Sequence, residues 1–306
     1  MRVGVTGSSG FIGSALTAAL VERGDQVVRF VRPESAAPRS TVIRWDPSRQ
    51  LVDDGDLARA GGFDAVVNLA GAGIGDHRWS ATRKLQIERS RLDATQLLVS
   101  TLRALPSGTP MLASGSAIGV YGSRGDEELD ETSSLGHDFL AQLCTKWEGA
   151  ANALGEHGAV VASLRTGIVM SARGGALKRQ LPLFRLGLGG PHSTGAHWLS
   201  PISLRDEVRA ILWIIDHQLS GPVNLVCPTP LRNKQFARDL AQALHRPSFA
   251  RIPAVSLKVV LGTQLTTEAV LASQRVTPVK LTENGFNFEN PDAPSIAAQV
   301  VRLLTN

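Results

Sequence analysis

The sequence predicts an α/β protein built on a doubly wound parallel sheet, followed by a smaller region. Three observations carry that prediction. Apolar, strand-like runs alternate with helix-spaced segments through the first half, joined by short turns. A glycine-rich turn stands between the first strand and the first helix. The composition is that of an ordinary folded chain, 306 residues with 43% hydrophobic and 19% charged. That length suits one large α/β unit or two smaller ones.

Each element has its own justification. Val3 and Val5 lie in a strand ending at Thr6. Ile12, Leu16, Ala19 and Leu20 then recur at helical spacing over residues 11–22, with Gly24 placed to close the helix. A second strand spans about 26–31, stopped by Pro33, a third about 41–45, and a fourth 65–69. A helix over about 81–102, a strand starting at 111–113, a long helix over 137–156 and a strand over 159–164 continue the alternation. Beyond Arg165 the texture changes. Gly174, Gly175, Gly187, Gly189, Gly190 and Pro191 break the periodicity and read as a long loop region. Helices over about 204–217, 233–244 and 254–272, and a strand over 223–226, follow. The expected organisation is a nucleotide-binding sheet domain over 1–165 and a smaller substrate-side region over 166–306, partly interleaved with the sheet.

Several functions are excluded at this level. The net charge of +5 is spread without a Lys/Arg run, so no nucleic-acid partner is expected. Two cysteines cannot build a disulfide framework or a four-thiolate zinc site. The best uninterrupted apolar stretch, 210–215, is far too short to span a bilayer. The N-terminus resembles a signal peptide only until Gly7-Ser8-Ser9-Gly10 interrupts it, so a cytoplasmic location is expected. His192 and His197 lack a third ligand, so no metal is expected. Neither a G-x-S-x-G elbow nor a G-x-x-x-x-G-K loop occurs.

The turn Gly7-Ser8-Ser9-Gly10-Phe11-Ile12-Gly13 has the spacing G-x-x-G-x-x-G. At a strand-to-helix junction such a turn aims backbone N–H groups and the positive helix end at a pyrophosphate. Gly7 and Gly10 let the backbone bend and approach, and Gly13 lets helix and strand pack closely. Ser9, Phe11 and Ile12 complete the cradle. The second strand ends Val28-Arg29-Phe30-Val31-Arg32-Pro33, without the carboxylate that would hold a free ribose 2′-hydroxyl. Strand alternation puts Arg29 and Arg32 on opposite faces, with Arg32 at the ligand end beside Val31. Arg32 is therefore read as the 2′-phosphate contact, and NADP(H) as the cofactor.

Taken together, this turn, Val67-Asn68-Leu69-Ala70-Gly71, the run from Ser114 to Gly122 and Arg165-Thr166-Gly167-Ile168-Val169 resemble the extended short-chain dehydrogenase/reductases, which have a Rossmann fold and include the nucleotide-sugar epimerases. A narrower resemblance is to an atypical subfamily labelled NAD-dependent epimerase/dehydratase, or SulA-like nucleoside-diphosphate-sugar epimerase. Its marks here are Trp45-Asp46, Arg78-Trp79, Ser90-Arg91, Thr95, Trp147-Glu148, the run 186–191, Gly221 to Leu225, Gln274-Arg275-Val276 and Gly285-Phe286. The resemblance implies an NADP(H)-binding epimerase or oxidoreductase acting on a small substrate, with a nucleotide sugar as the favoured class.

It also implies roles for individual residues. Leu69, Ala70 and Gly71 would pass against the adenosine ribose and phosphates. Asp46 would accept from the adenine amine or cap the turn before Pro47. Gln86 and Arg91 lie on the helix beyond, where Arg91 would reach a phosphate or hold the sheet edge. Ser114 would stand beside the cofactor, and Ile168 and Val169 would lie against the nicotinamide. Ser116 matches the hydroxyl that bonds the substrate's reacting oxygen. Tyr121 matches a tyrosine that packs or lines the substrate site, with packing favoured.

Relatives of this kind carry a tyrosine acid/base and a lysine four residues later, the lysine lowering the tyrosine's pKa. Counting back from Glu148 puts those positions at Leu140 and Cys144, and neither can do the work. Lys146 is two positions off and points elsewhere on a helix. The chain's single tyrosine, Tyr121, lies outside that helix altogether. The run Ile202-Ser203-Leu204-Arg205-Asp206 also lacks the histidine usual in relatives, which weakens any substrate role there. A non-catalytic NADPH-binding or sensing protein acting through a partner is therefore the alternative reading.

Overall fold

The computed structural model describes residues 1–38, 41–248 and 250–305. Its strands, in chain order, are β1 (Arg2–Thr6), β2 (Gln26–Val31), β3 (Val42–Asp46), β4 (Leu51–Val52), β5 (Ala65–Asn68), β6 (Met111–Ala117) and β7 (Glu128–Leu129). They continue as β8 (Val161–Thr166), β9 (Ile168–Met170), β10 (Trp198–Leu199), β11 (Pro201–Ser203), β12 (Gly221–Leu225), β13 (Leu231–Arg232) and β14 (Arg275–Val276). The helices are α1 (Phe11–Glu22), α2 (Asp54–Ala60), α3 (Ala81–Arg103), α4 (Phe139–Asn152), α5 (Gly175–Arg185) and α6 (Leu204–Asp216). After them come α7 (Asn233–Ala243), α8 (Ala254–Leu261), α9 (Thr263–Leu265), α10 (Val279–Glu283) and α11 (Ala293–Thr305).

Among the described residues the main sheet has the order β12-β8-β6-β5-β1-β2-β3-β4, parallel except for β4. The strand order reverses beside β1, which is where a doubly wound sheet opens a ligand crevice. Alternation sorts the side chains. Val3, Val5, Val67, Ala113 and Leu164 face α1 and α6, whereas Phe30, Val66 and Leu112 face α3. A third apolar cluster joins α5, α7 and α11 through Leu177, Phe184, Phe236, Leu240 and Ile296. No helix among the described residues is long and apolar enough to cross a membrane.

The predicted strands and helices of the first half recur within a few residues, with three differences of physical interest. The long helix is shorter than 137–156, because Asp138 caps it by accepting from Ala141 N at 2.9 Å and a 3-10 turn takes over at Gly155. The expected continuous helix over 254–272 is broken at Gly262, whose φ is +90°. The run of glycines after Arg165 does not abolish helix. Gly175 opens α5, which buries Leu177, Leu181 and Phe184 at helical spacing.

Candidate functional site

The glycine turn is packed tightly against backbone at Gly7 and Gly13. Gly7 has φ +63°, and a Cβ there would stand 2.5 Å from Leu69 O. A Cβ on Gly13 would stand 2.1 Å from Gly7 O. Gly10 N donates to Gly7 O at 2.9 Å and completes the turn. No side chain caps α1, so the N–H groups of its first turn remain available to an anion. Ser9 and Gly10 are exposed, with Phe11 and Ile12 half-buried at the start of α1.

The facing wall is Leu69-Ala70-Gly71. Thr6 Oγ1 accepts from the N–H groups of Leu69 and Ala70, each at 3.1 Å, and donates to Asn68 Oδ1 at 2.7 Å. Arg91 lies under Gly71, where a Cβ would come within 3.2 Å of it. Its guanidinium stacks 5.0 Å from the Trp147 ring and donates to Ala72 O and Ile87 O at 3.0 and 3.1 Å. Burial holds its pKa down, because desolvation disfavours the charged form. Arg83, nine-tenths buried nearby, donates to Gln86 Oε1 and Gly73 O, and its buried Nε–H has no partner among the described residues. A buried guanidinium N–H left open in this way fits an anionic ligand.

The other predicted positions lie in or next to β2, β3, α3, β6 and β9. Val31 is half-buried in β2 and Arg32 is exposed at its end, its side chain without a hydrogen bond or ion pair among the described residues. Asp46 caps the following turn, its Oδ1 accepting from Ser48 N and Oγ at 3.1 and 2.6 Å. Gln86 is exposed and accepts from Arg83 at 2.6 Å. Ser114 is 1% exposed and accepts from Asn68 Nδ2 at 3.2 Å, so it lies behind the cradle wall. Ile168 is half-buried and Val169 buried in β9; a Cβ on Gly175 would sit 3.1 Å from Val169 O and 3.3 Å from the Phe11 ring.

Register explains a second cluster. Ser116, Arg165 and Asn224 are direct neighbours on β6, β8 and β12 and share the α4-facing side of the sheet. Asn224 Nδ2 donates to Thr277 O at 3.0 Å, leaving Oδ1 to accept from Tyr121 Oη at 2.7 Å. The Tyr121 oxygen in turn accepts from Arg165 Nη1 at 2.9 Å. Arg165 Nε and Nη2 donate to the two Glu148 oxygens at 2.9 and 3.0 Å. Ser116 Oγ donates to Glu148 Oε1 at 2.6 Å. Every hydrogen bond in this chain therefore has a fixed direction. Burial pulls Arg165 down, but the bonds and charge of Glu148 more than reverse it and raise its pKa. Burial pushes the Tyr121 phenol up to about 12, and it is 0% exposed.

Leu140 and Cys144 are both buried on α4, and burial raises the Cys144 thiol to about 11, well above the range of a useful base. The sequence singles out the glycine turn, and Thr95 as a motif residue, but not Arg83, Arg179 of α5 or the Glu148–Arg165–Asn224 connection. Glu148, Asn224 and Gln274 nonetheless lie in quoted motifs. Gln274 Nε2 donates to Ile118 O and Gly122 O, each at 3.0 Å, which holds the turn bearing Tyr121.

Residues 3–226 match the NAD dependent epimerase/dehydratase family, and 252–300 match a domain of unknown function, DUF1731. An epimerase family protein of Mycobacterium tuberculosis is 40% identical over 94% of this chain and 93% of its own length. The crystal structure of human epimerase family protein SDR39U1 with NADPH superposes with a TM-score of 0.89 at 31% identity, covering 99% of each chain. A nucleoside-diphosphate sugar epimerase structure from Corynebacterium glutamicum gives 0.77 at 32% identity, covering 98% of this chain and 58% of that one.

Proposed function

Because this chain belongs to the NAD dependent epimerase/dehydratase family, we propose that it is an NADP(H)-dependent epimerase or oxidoreductase acting on a small hydroxylated substrate of the nucleotide-sugar class. The observation that carries the cofactor reading is the glycine cradle, whose Gly7 and Gly13 leave no room for a Cβ. The human relative that contains NADPH supports the same reading. Gly7, Ser9, Gly10, Phe11, Ile12 and Gly13 would hold the pyrophosphate, and Arg32 would meet the 2′-phosphate. Leu69, Ala70, Gly71 and Arg91 would form the opposite wall, with Ile168 and Val169 toward the nicotinamide end. The cofactor, when bound, supplies hydride exchange at a carbon bearing oxygen.

Ser116 is the group we assign to the substrate oxygen. Its proton is committed to Glu148, so its remaining lone pairs would accept from a substrate hydroxyl. Tyr121 is assigned to holding Arg165, since its hydroxyl is buried and both its bonds are internal. The burial of Leu140 and Cys144 favours one second reading, a non-catalytic NADPH-binding protein that acts through a partner. A panel of nucleotide sugars and carbonyl compounds, followed by the absorbance of the reduced cofactor, separates the two. Turnover lost in Ser116→Ala while NADPH binding survives is expected for the enzyme. A silent panel despite NADPH binding selects the second reading. Arg32→Ala binding NADPH as tightly as wild type would remove the 2′-phosphate assignment.

A further inference from the structure

We propose that residues 174–179 and 73–76 form a clasp across the dinucleotide groove, which opens for cofactor to enter or leave. The proposal rests on the nucleotide-binding reading above. On one side, the chain entering α5 lies flat on Phe11, the first residue of α1. A Cβ on Gly174 would stand 2.3 Å from the Phe11 ring, and Gly175 adopts φ +70° directly beside it. One helical turn further on, Arg179 reaches the opposite wall. Its Nη1 donates to Gly75 O, and its Nη2 meets Asp76 Oδ1 at 3.2 Å. The segment 174–179 thus runs from the wall made by α1 to the wall that continues from Leu69-Ala70-Gly71.

The two halves of the clasp are anchored differently. The 71–79 loop is fixed from its own side and from α8, where Arg78 donates to Val259 O and, at 2.9 Å, to Val260 O. Arg91 holds Ala72 O at 3.0 Å, Arg83 holds Gly73 O, and Trp79 Nε1 donates to Ile74 O at 2.8 Å. The buried face of α5 is fixed by Leu177, Leu181 and Phe184. What joins the halves is the Arg179 guanidinium, whose side chain is 61% exposed, as Asp76 is 52% exposed. An ion pair this exposed is screened by solvent and contributes little, so it can break without disturbing either anchor. A strong tie would trap the cofactor; this one only slows its passage.

The test is the rate of NADPH exchange, followed by stopped-flow fluorescence on mixing and on displacement with excess NADP⁺. Arg179→Ala is expected to raise both the association and dissociation rate constants about three- to tenfold, as losing one exposed pair and one hydrogen bond implies. The dissociation constant should move less than the rates, which an ordinary contact residue would not produce. Asp76→Asn should act in the same direction more weakly. Equal exchange rates in wild type and Arg179→Ala overturn the clasp while leaving the cofactor site standing, and so does faster release with unchanged association. A wild-type protein that does not bind NADPH overturns the nucleotide reading and the clasp with it. Arg179→Gln, which keeps a hydrogen-bond donor, serves if the alanine variant does not fold.

Discussion

Arg165 donates from all three guanidinium nitrogens into the interior, so its removal strands partners rather than solvating them. Arg165→Ala leaves the Glu148 carboxylate buried and unpaired and is expected to cost about 3–5 kcal/mol in urea unfolding. Arg165→Lys keeps the charge but not the two-pronged geometry, and should recover only part of that loss. Tyr121 offers a direct readout of the same network, because it is the chain's only tyrosine. Burial raises its phenol from 10.0 to about 12, with Arg165 pulling the other way. Since the folded pKa is the higher one, its contribution to stability is complete below about pH 10 and is lost as pH rises through about 12. A phenolate absorbance titration with its midpoint near 10 in the folded protein would contradict that burial.

At the scale of elements, α6 and α8 make opposite demands on similar apolar sequences. In α6, Ala210, Ile211, Ile214 and Ile215 are no more than 1% exposed against α1 and the sheet. In α8 no residue is buried, and Val255, Val259 and Val260 are all more than 60% exposed. Ile214→Ala should therefore cost about 2–5 kcal/mol, while Val259→Lys should stay within about 0.5 kcal/mol; denaturant midpoints compare the two. The contrast also marks what sequence can and cannot carry. The parallel strands of the main sheet were legible because buried apolar runs bounded by turns have few other uses, whereas the two-residue β4, with Leu51 exposed, was not. α5 was hidden, because its opening glycines and Pro182 signal a break while its helical face is defined only by α7 and α11 packing on it. The glycine cradle was legible because close backbone approach constrains residue type locally. The Ser116–Glu148–Arg165–Tyr121–Asn224 chain was not, because it draws on β6, α4, β8, a 3-10 turn and β12. Only the register of three strands makes Ser116, Arg165 and Asn224 neighbours.

For the whole molecule, two buried groups on different elements give stability opposite responses to pH. Glu207, 0% exposed on α6, accepts from Thr166 Oγ1 at 2.8 Å through Oε1, and its buried Oε2 has no partner among the described residues. Burial raises its pKa from 4.5 to about 8. Its stabilising contribution is therefore complete below about pH 4.5 and declines as pH rises through about 8. His197, in the loop before β10, has a buried Nε2 without a partner among the described residues and stacks 6.5 Å from the His192 ring. Burial, then repulsion from His192, lowers its pKa from 6.5 to about 4. Its contribution is present above about pH 6.5 and is lost as pH falls toward 4. Between about pH 4.5 and 6.5 the two slopes oppose each other, and above 6.5 Glu207 acts alone. Glu207→Gln should thus raise Tm relative to wild type at pH 8 but not at pH 4.5. His197→Gln should raise it at pH 4.5 but not at pH 8. Melting curves of the three proteins across that range decide the point: a difference between wild type and Glu207→Gln that stays constant with pH would mean that Glu207 is not held neutral by the fold.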